Sequence, residues 1–127
     1  MAQAADLRRP FHLQLLPMQS QPHQILNVEI VQHGDGDQTL YQQNLMSLGA
    51  DVQLPEICDA RDITIAVLEG TGSLIIQAET VTLEPGLFVF IPANISHRLE
   101  TRSRLVFLLN RCMPDRDTTD LPWVINL

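Results

Sequence analysis

The sequence predicts a single all-β domain, built as a sandwich or barrel of antiparallel strands. Helical periodicity is weak, because no long run places apolar residues at alternating three- and four-residue spacings. Short segments rich in Val, Ile, Leu and Phe are instead separated by Gly, Pro, Asn and Asp, which is typical of all-β proteins. The chain has 127 residues, of which 45% are hydrophobic, so it can bury one hydrophobic core.

The predicted strands follow one another between turn sequences. The first two strands cover residues 25–32 and 39–48, and glycines and aspartates at 34–37 make the turn between them. Glycines at 70 and 72 predict a hairpin between the strands at 63–68 and 73–77. The remaining strands are expected at 80–83, 87–91, 97–100 and 104–109.

The two ends of the chain differ in composition from the middle. Residues 1–24 contain three prolines and many glutamines, so we expect an N-terminal arm that docks at most as an edge strand. The barrel itself is assigned to residues 25–110. Residues 111–127 form a polar C-terminal tail with a possible extra strand at 121–125.

Charge and composition limit the partners and the compartment. The net charge is −7, and no basic patch is present, so nucleic acid and anionic membranes are not expected as partners. Lysine is absent, which excludes Schiff-base chemistry on a lysine. Two cysteines far apart in sequence do not make a disulfide framework. No leader segment or apolar run of membrane-spanning length is visible either, so we expect a cytoplasmic protein.

A spaced set of residues near the end of the barrel carries the strongest family signal. Gly86 is followed after five residues by Pro92, then by Asn94 and, after two more residues, by His97. This pattern resembles the second conserved motif of the cupin family. Asn94 stands where cupins usually have glycine, which is a mild change because Asn tolerates a left-handed backbone. The closing asparagine of the motif falls on Thr101, which does not match.

The preceding turn extends the resemblance to residues 40–109. Residues 67–72, with Gly70 and Gly72, are similar to a valine-leucine-glutamate-glycine turn that is common in cupins. The resemblance implies a jelly-roll barrel, or double-stranded β-helix, made of two antiparallel sheets. It also implies that the chain pairs as a homodimer.

The first cupin motif, which normally supplies most of a metal site, is degenerate in this sequence. The corresponding region, residues 49–63, contains no histidine. Counting from Gly49 places Pro55 and Ile57 at the two histidine positions. Shifting the count by one residue places Glu56 and Cys58 there instead, and the sequence alone leaves both registers open.

The shifted register predicts a variant metal site. Carboxylate, thiolate and imidazole groups together can bind a divalent transition metal. The candidate ligands are Glu56, Cys58, Asp62 and His97. The alternative is a metal-free site, in which the acidic residues are solvated and His97 packs and forms hydrogen bonds in the barrel. The missing histidines favour this alternative.

These observations leave three functions open. The first is binding of an unidentified small molecule in the barrel, with His97, Tyr41 and Cys58 as candidate pocket residues. The second is a metal-dependent enzyme, such as a dioxygenase or an isomerase, which the resemblance implies through the variant ligands. The third is a structural role as an assembling dimer.

Three arginines near the end of the barrel could clamp an anionic ligand or form a charged outer face, and we expect the outer face. They are Arg98, Arg102 and Arg104.

Overall fold

The computed structural model describes residues 19–34, 40–114 and the strand at 124–126. These parts of the chain form nine strands and no helix. Accordingly, the described residues include no helix long and apolar enough to cross a membrane. The strands are β1 (Ile25–His33), β2 (Tyr41–Leu48), β3 (Asp62–Gly70), β4 (Gly72–Ile76), β5 (Glu79–Leu83), β6 (Leu87–Ile91), β7 (His97–Glu100), β8 (Leu105–Cys112) and β9 (Val124–Asn126).

The strands form two antiparallel sheets that face each other. The large sheet has six strands in the order β1-β2-β8-β3-β6-β9, and the small sheet has three in the order β5-β4-β7. Sequence neighbours β3 and β4, and likewise β7 and β8, lie in different sheets, so the chain crosses repeatedly between the layers. The predicted fold, a jelly-roll barrel of two antiparallel sheets, is confirmed.

The hairpin predicted between residues 63–68 and 73–77 is wrong. The strand that ends at Gly70 belongs to the large sheet, whereas the strand that begins at Gly72 belongs to the small one. Gly70 has a φ of +78°, and a Cβ there would lie 1.8 Å from the main-chain oxygen of Arg104. Glycine is therefore required at this position because the chain changes sheets in close contact with the β7–β8 connection.

The main core fills the space between the sheets. Alternate residues of each strand point inward, as the two-residue period of a strand dictates. Phe107 of β8, Ile65 of β3 and Leu74 of β4 are at most 1% exposed and represent this core. A smaller cluster around Leu45 and Val106 covers the outer face of the large sheet.

The end of β8 extends past its predicted limit and matters for the site. The eighth strand continues to Cys112, three residues beyond the predicted end at 109. Because Phe107 and Leu109 point into the core, alternation places Arg111 on the same inner face. At the C-terminal end, β9 pairs with β6, in the region where an extra strand was predicted. Of the predicted N-terminal arm, residues 1–18 lie outside the described residues.

Candidate functional site within the barrel

A cavity with a largely apolar wall lies in the barrel, and its volume is about 70 Å³. Both sheets contribute to the wall, and three of its residues carry polar side chains, His97, Arg98 and Arg111. Arg98 is exposed and paired with Glu100, so His97 and Arg111 are the two that remain to recognise polar groups in the cavity. Most of the remaining wall is aliphatic or aromatic and includes Met46, Ile65, Leu99 and Phe107.

The turn before β7 sets the position of His97. Asn94 has a φ of +67°, the left-handed conformation that a glycine would otherwise supply. Its main-chain N–H donates to the carbonyl of Asp59 at 2.7 Å, which ties the turn to the loop before β3. His97 then begins β7 with only 5% of its surface exposed.

The His97 ring uses one nitrogen within its own turn. Nδ1 lies 3.1 Å from the main-chain oxygen of Ile95. A carbonyl oxygen only accepts, so Nδ1 carries the hydrogen and donates it. In the neutral ring Nε2 is then the acceptor, and no described residue is bonded to it. The ring can therefore accept one hydrogen bond from a molecule in the cavity.

The segment before β3 runs along the free edge of β7 and resolves the register that the sequence left open. Ile57 and His97 exchange both main-chain hydrogen bonds, at 2.8 and 2.9 Å, and Leu54 donates to the next inward residue of β7. Leu54 and Ile57 both line the cavity. Glu56 and Cys58 are exposed to solvent and are not part of the wall. The unshifted register, with Ile57 at a histidine position, is the one that faces inward.

The structure does not bring the candidate metal ligands together. Glu56 and Cys58 are exposed to solvent, outside the cavity wall that His97 lines. The third candidate, Asp62, is engaged elsewhere: its Oδ1 atom accepts a hydrogen bond from the main-chain N–H of Ala93 at 2.9 Å. Within the described part of the chain, no three His, Cys, Asp or Glu residues are grouped so that they could hold a metal ion. His97 faces mainly apolar side chains instead. These residues do not fit the metal that the cupin resemblance implies.

Tyr41, the remaining candidate pocket residue, lies on the other side of the large sheet. It pairs with His33 and Cys112 at the start of β2. Met46, five positions later, lines the cavity, so strand alternation directs Tyr41 to the outer face. Tyr41 is half-buried and does not line the cavity.

An ionic cluster next to the cavity was not identified from the sequence. The carboxylate of Asp59 accepts from Arg61 Nε at 3.0 Å and from Arg61 Nη2 at 3.2 Å. It also accepts from Arg111 Nε at 3.2 Å. Burial acts to raise the pKa of Asp59, but the Arg61 hydrogen bonds and both guanidinium charges outweigh it, so the pKa lies below its ordinary value.

Arg111 retains most of its hydrogen-bonding capacity. Asp59 engages its Nε, while no described residue accepts from its two Nη groups. Its side chain is 23% exposed and lines the cavity. The sequence contains the signal that would have found it: extending the strand at 104–109 by two residues places Arg111 in phase with the buried Phe107.

The sequence of the barrel decides the family. Residues 46–109 match the family described as the cupin domain. The chain belongs to the cupin family. No functionally curated protein matches this cupin.

Solved structures support the same fold at low sequence identity. A conserved protein of unknown function from Streptococcus pyogenes is 21% identical, with a TM-score of 0.73 over 91% of this cupin and 98% of that chain. A cupin superfamily protein from Desulfitobacterium hafniense is 18% identical, with a TM-score of 0.72 over 89% of this cupin and 100% of that chain. A variant of salicylate 1,2-dioxygenase from Pseudoaminobacter salicylatoxidans is 17% identical, with a TM-score of 0.61 over 68% of this cupin and 26% of that chain. At these identities the similarity shows the fold alone.

Proposed function

We propose that this cupin binds a small molecule in its barrel cavity and does so without the usual histidine-based metal site. One observation carries the proposal: His97 and Arg111 both line a largely apolar cavity, and each keeps hydrogen-bonding groups that no described residue satisfies. A few polar groups in an apolar cavity are the usual means of orienting a ligand. The exposed Glu56 and Cys58 give no support to the metal-dependent alternative.

A blocked cavity tests this proposal directly. Ile57 lines the cavity and is 38% exposed, so a tryptophan there can turn its indole into the cavity without entering the core. Ile25, which is 48% exposed on β1 and is not part of the wall, gives the matched Ile→Trp control. The probe is a mixture of short-chain acids, alcohols, amides and amines. Ligand-observed NMR detects which compounds in the mixture bind to each protein.

We expect at least one class in the mixture to bind the wild-type protein. Binding should be lost in Ile57→Trp and kept in Ile25→Trp, because only the first substitution fills the cavity. The absence of binding by every class, or binding that Ile57→Trp leaves unchanged, would contradict a ligand site in the barrel.

We also propose that the chain forms a homodimer, with two adjacent apolar residues in the contact. The main-chain N–H of Met113 donates to the Leu40 carbonyl at 2.9 Å, and the two residues are 42% and 51% exposed. Adjacent exposed apolar side chains favour self-association. Sedimentation velocity should show a dimer that weakens when Leu40 and Met113 are both changed to Gln. The same change at Ile25, at the other end of the β1–β2 pair, should have no effect. A concentration-independent wild-type monomer would contradict the proposal.

A further inference from the structure

We infer that the ligand of this cupin is a short-chain carboxylate held by the guanidinium group of Arg111, an inference that rests on the proposed binding function. Three properties of the cavity lead to this class: its local charge, the geometry of Arg111 and the size of the apolar space.

The ionic cluster beside the cavity carries a net positive charge. Two arginines, Arg61 and Arg111, share the single carboxylate of Asp59. The cluster therefore retains one unit of positive charge although the whole chain has a net charge of −7. The other arginine that borders the cavity, Arg98, is exposed and pairs with Glu100. A partly buried guanidinium that shares its one described carboxylate with a second arginine favours an anion as its partner.

The geometry of Arg111 suits a carboxylate in particular. Asp59 fixes the Nε side of the guanidinium, while both Nη groups remain without a described acceptor. A guanidinium presents its N–H groups as a planar fork that matches the two oxygens of a carboxylate. Because Asp59 already orders the side chain, less conformational entropy is lost when a ligand binds.

The cavity accommodates only a short chain. Its volume is about 70 Å³, and the wall beyond Arg111 and His97 is mostly aliphatic or aromatic. A carboxylate at Arg111 would direct its hydrocarbon part toward Leu109 and Phe107, which precede Arg111 on the inner face of β8. Such a small space suits a short hydrocarbon chain rather than a long one.

Three ligands of similar size test the class on the wild-type protein. Propionate, propionamide and 1-propanol share a three-carbon skeleton, and only propionate is charged at neutral pH. We expect the affinity for propionate to be at least about tenfold higher than for the two neutral compounds, because only propionate makes charge-assisted hydrogen bonds. Isothermal titration calorimetry at neutral pH and low salt measures the three affinities.

Variants at Arg111 test the residue. Arg111→Met removes the charge while preserving most of the side-chain volume, and we expect it to weaken propionate binding about tenfold. Arg111→Lys keeps the charge but not the planar fork, so it should recover only part of the affinity. Arg102→Met, at an exposed arginine outside the cavity wall, is the control and should bind propionate normally. Thermal unfolding of each variant confirms that it is folded.

The outcomes separate this inference from the proposed function. Equal binding of propionate and propionamide, or full propionate affinity in a folded Arg111→Met, would overturn the carboxylate assignment and leave a ligand-binding barrel. If none of the three compounds and no member of the broader mixture binds, the proposed function fails, and the inference fails with it.

Discussion

Arg111 and Asp59 lie 52 residues apart in sequence, and Arg111 Nε meets Asp59 Oδ2 at 3.2 Å beside the barrel cavity. The contact joins the loop before β3 to the end of β8. The same loop holds the turn before β7, since the carbonyl of Asp59 accepts from the N–H of Asn94. Asp59 therefore contacts Arg111 through its side chain and, through its main chain, the turn that leads into His97.

Replacing Asp59 with Asn should destabilise the fold. Asp59→Asn leaves two arginines without their shared carboxylate, and hydrogen bonds to charged groups contribute about 2 kcal/mol each to stability. We expect a loss of about 2–3 kcal/mol in the free energy of unfolding at pH 7. Urea denaturation measures it, with the exposed Asp51→Asn as the matched control. A loss no larger than that of the control would contradict a structural role for the cluster.

The pH dependence of that loss follows from the direction of the Asp59 pKa shift. The pKa in the folded state lies below 3.8, its value in the unfolded chain, so the stabilisation is complete above that value. It disappears as the pH falls through the lower, folded-state pKa. The wild-type protein and Asp59→Asn should therefore differ most in stability above about pH 5 and converge in stronger acid. A difference that persists unchanged below the folded-state pKa would show that the carboxylate charge is not the cause.

Two glycines with similar backbone angles should respond very differently to alanine. Gly70 has a φ of +78° and would place its new Cβ 1.8 Å from the Arg104 oxygen, whereas Gly86, with a φ of +91°, has no atom within 4 Å of that position. Gly70→Ala adds a backbone clash to the strain and should cost about 3 kcal/mol or more. Gly86→Ala carries the strain alone, about 1–2 kcal/mol. Equal denaturation midpoints for the two variants would contradict the clash.

The sequence predicts this fold well because its signals are local. Strand alternation and turn residues mark eight of the nine described strands closely, and the Gly86–His97 spacing indicates the family. The pairing of strands is not local. The glycine turn at Gly70 favours a hairpin by its composition, and only the close approach of Arg104 reveals that the chain changes sheets there.

The candidate site was less predictable because it depends on register and on distant contacts. A shift of one residue in a strand exchanges the inward and outward side chains. Only the pairing of Ile57 with His97 shows that Glu56 and Cys58 face solvent. Strand alternation can place Arg111 on the inner face, but its ionic contact with Asp59 joins residues that no motif connects, so the local sequence does not identify that partner.

His97 should select for a hydrogen-bond donor next to the carboxylate, if the carboxylate inference holds. In the neutral ring Nε2 is the acceptor, so lactate, whose hydroxyl can donate, should bind more tightly than propionate by about fivefold. His97→Phe keeps an aromatic ring and removes the acceptor, so this preference should disappear. Calorimetry with both acids measures the ratio, and His33→Phe on the exposed end of β1 is the control. A lactate preference that survives in His97→Phe would exclude Nε2 as the acceptor.

Thr101, which breaks the cupin pattern at the position of the usual asparagine, should be important for stability. Its Oγ1 donates to the Gly49 carbonyl at 2.6 Å and accepts from the Val52 N–H at 3.1 Å, and the residue is 6% exposed. Thr101→Val preserves the shape but leaves both main-chain groups without a partner, at a cost of about 2–4 kcal/mol.

The exposed Thr82 of β5 provides the matched control for this substitution, since Thr82→Val removes a hydroxyl from a strand without breaking a buried contact. Its effect should stay within about 0.5 kcal/mol. In Thr101→Val the amide of Val52 should also exchange its hydrogen faster, because that N–H loses its acceptor. Unchanged exchange at Val52, together with a cost equal to that of the control, would mean that the hydroxyl does not hold the start of the segment that forms the cavity wall.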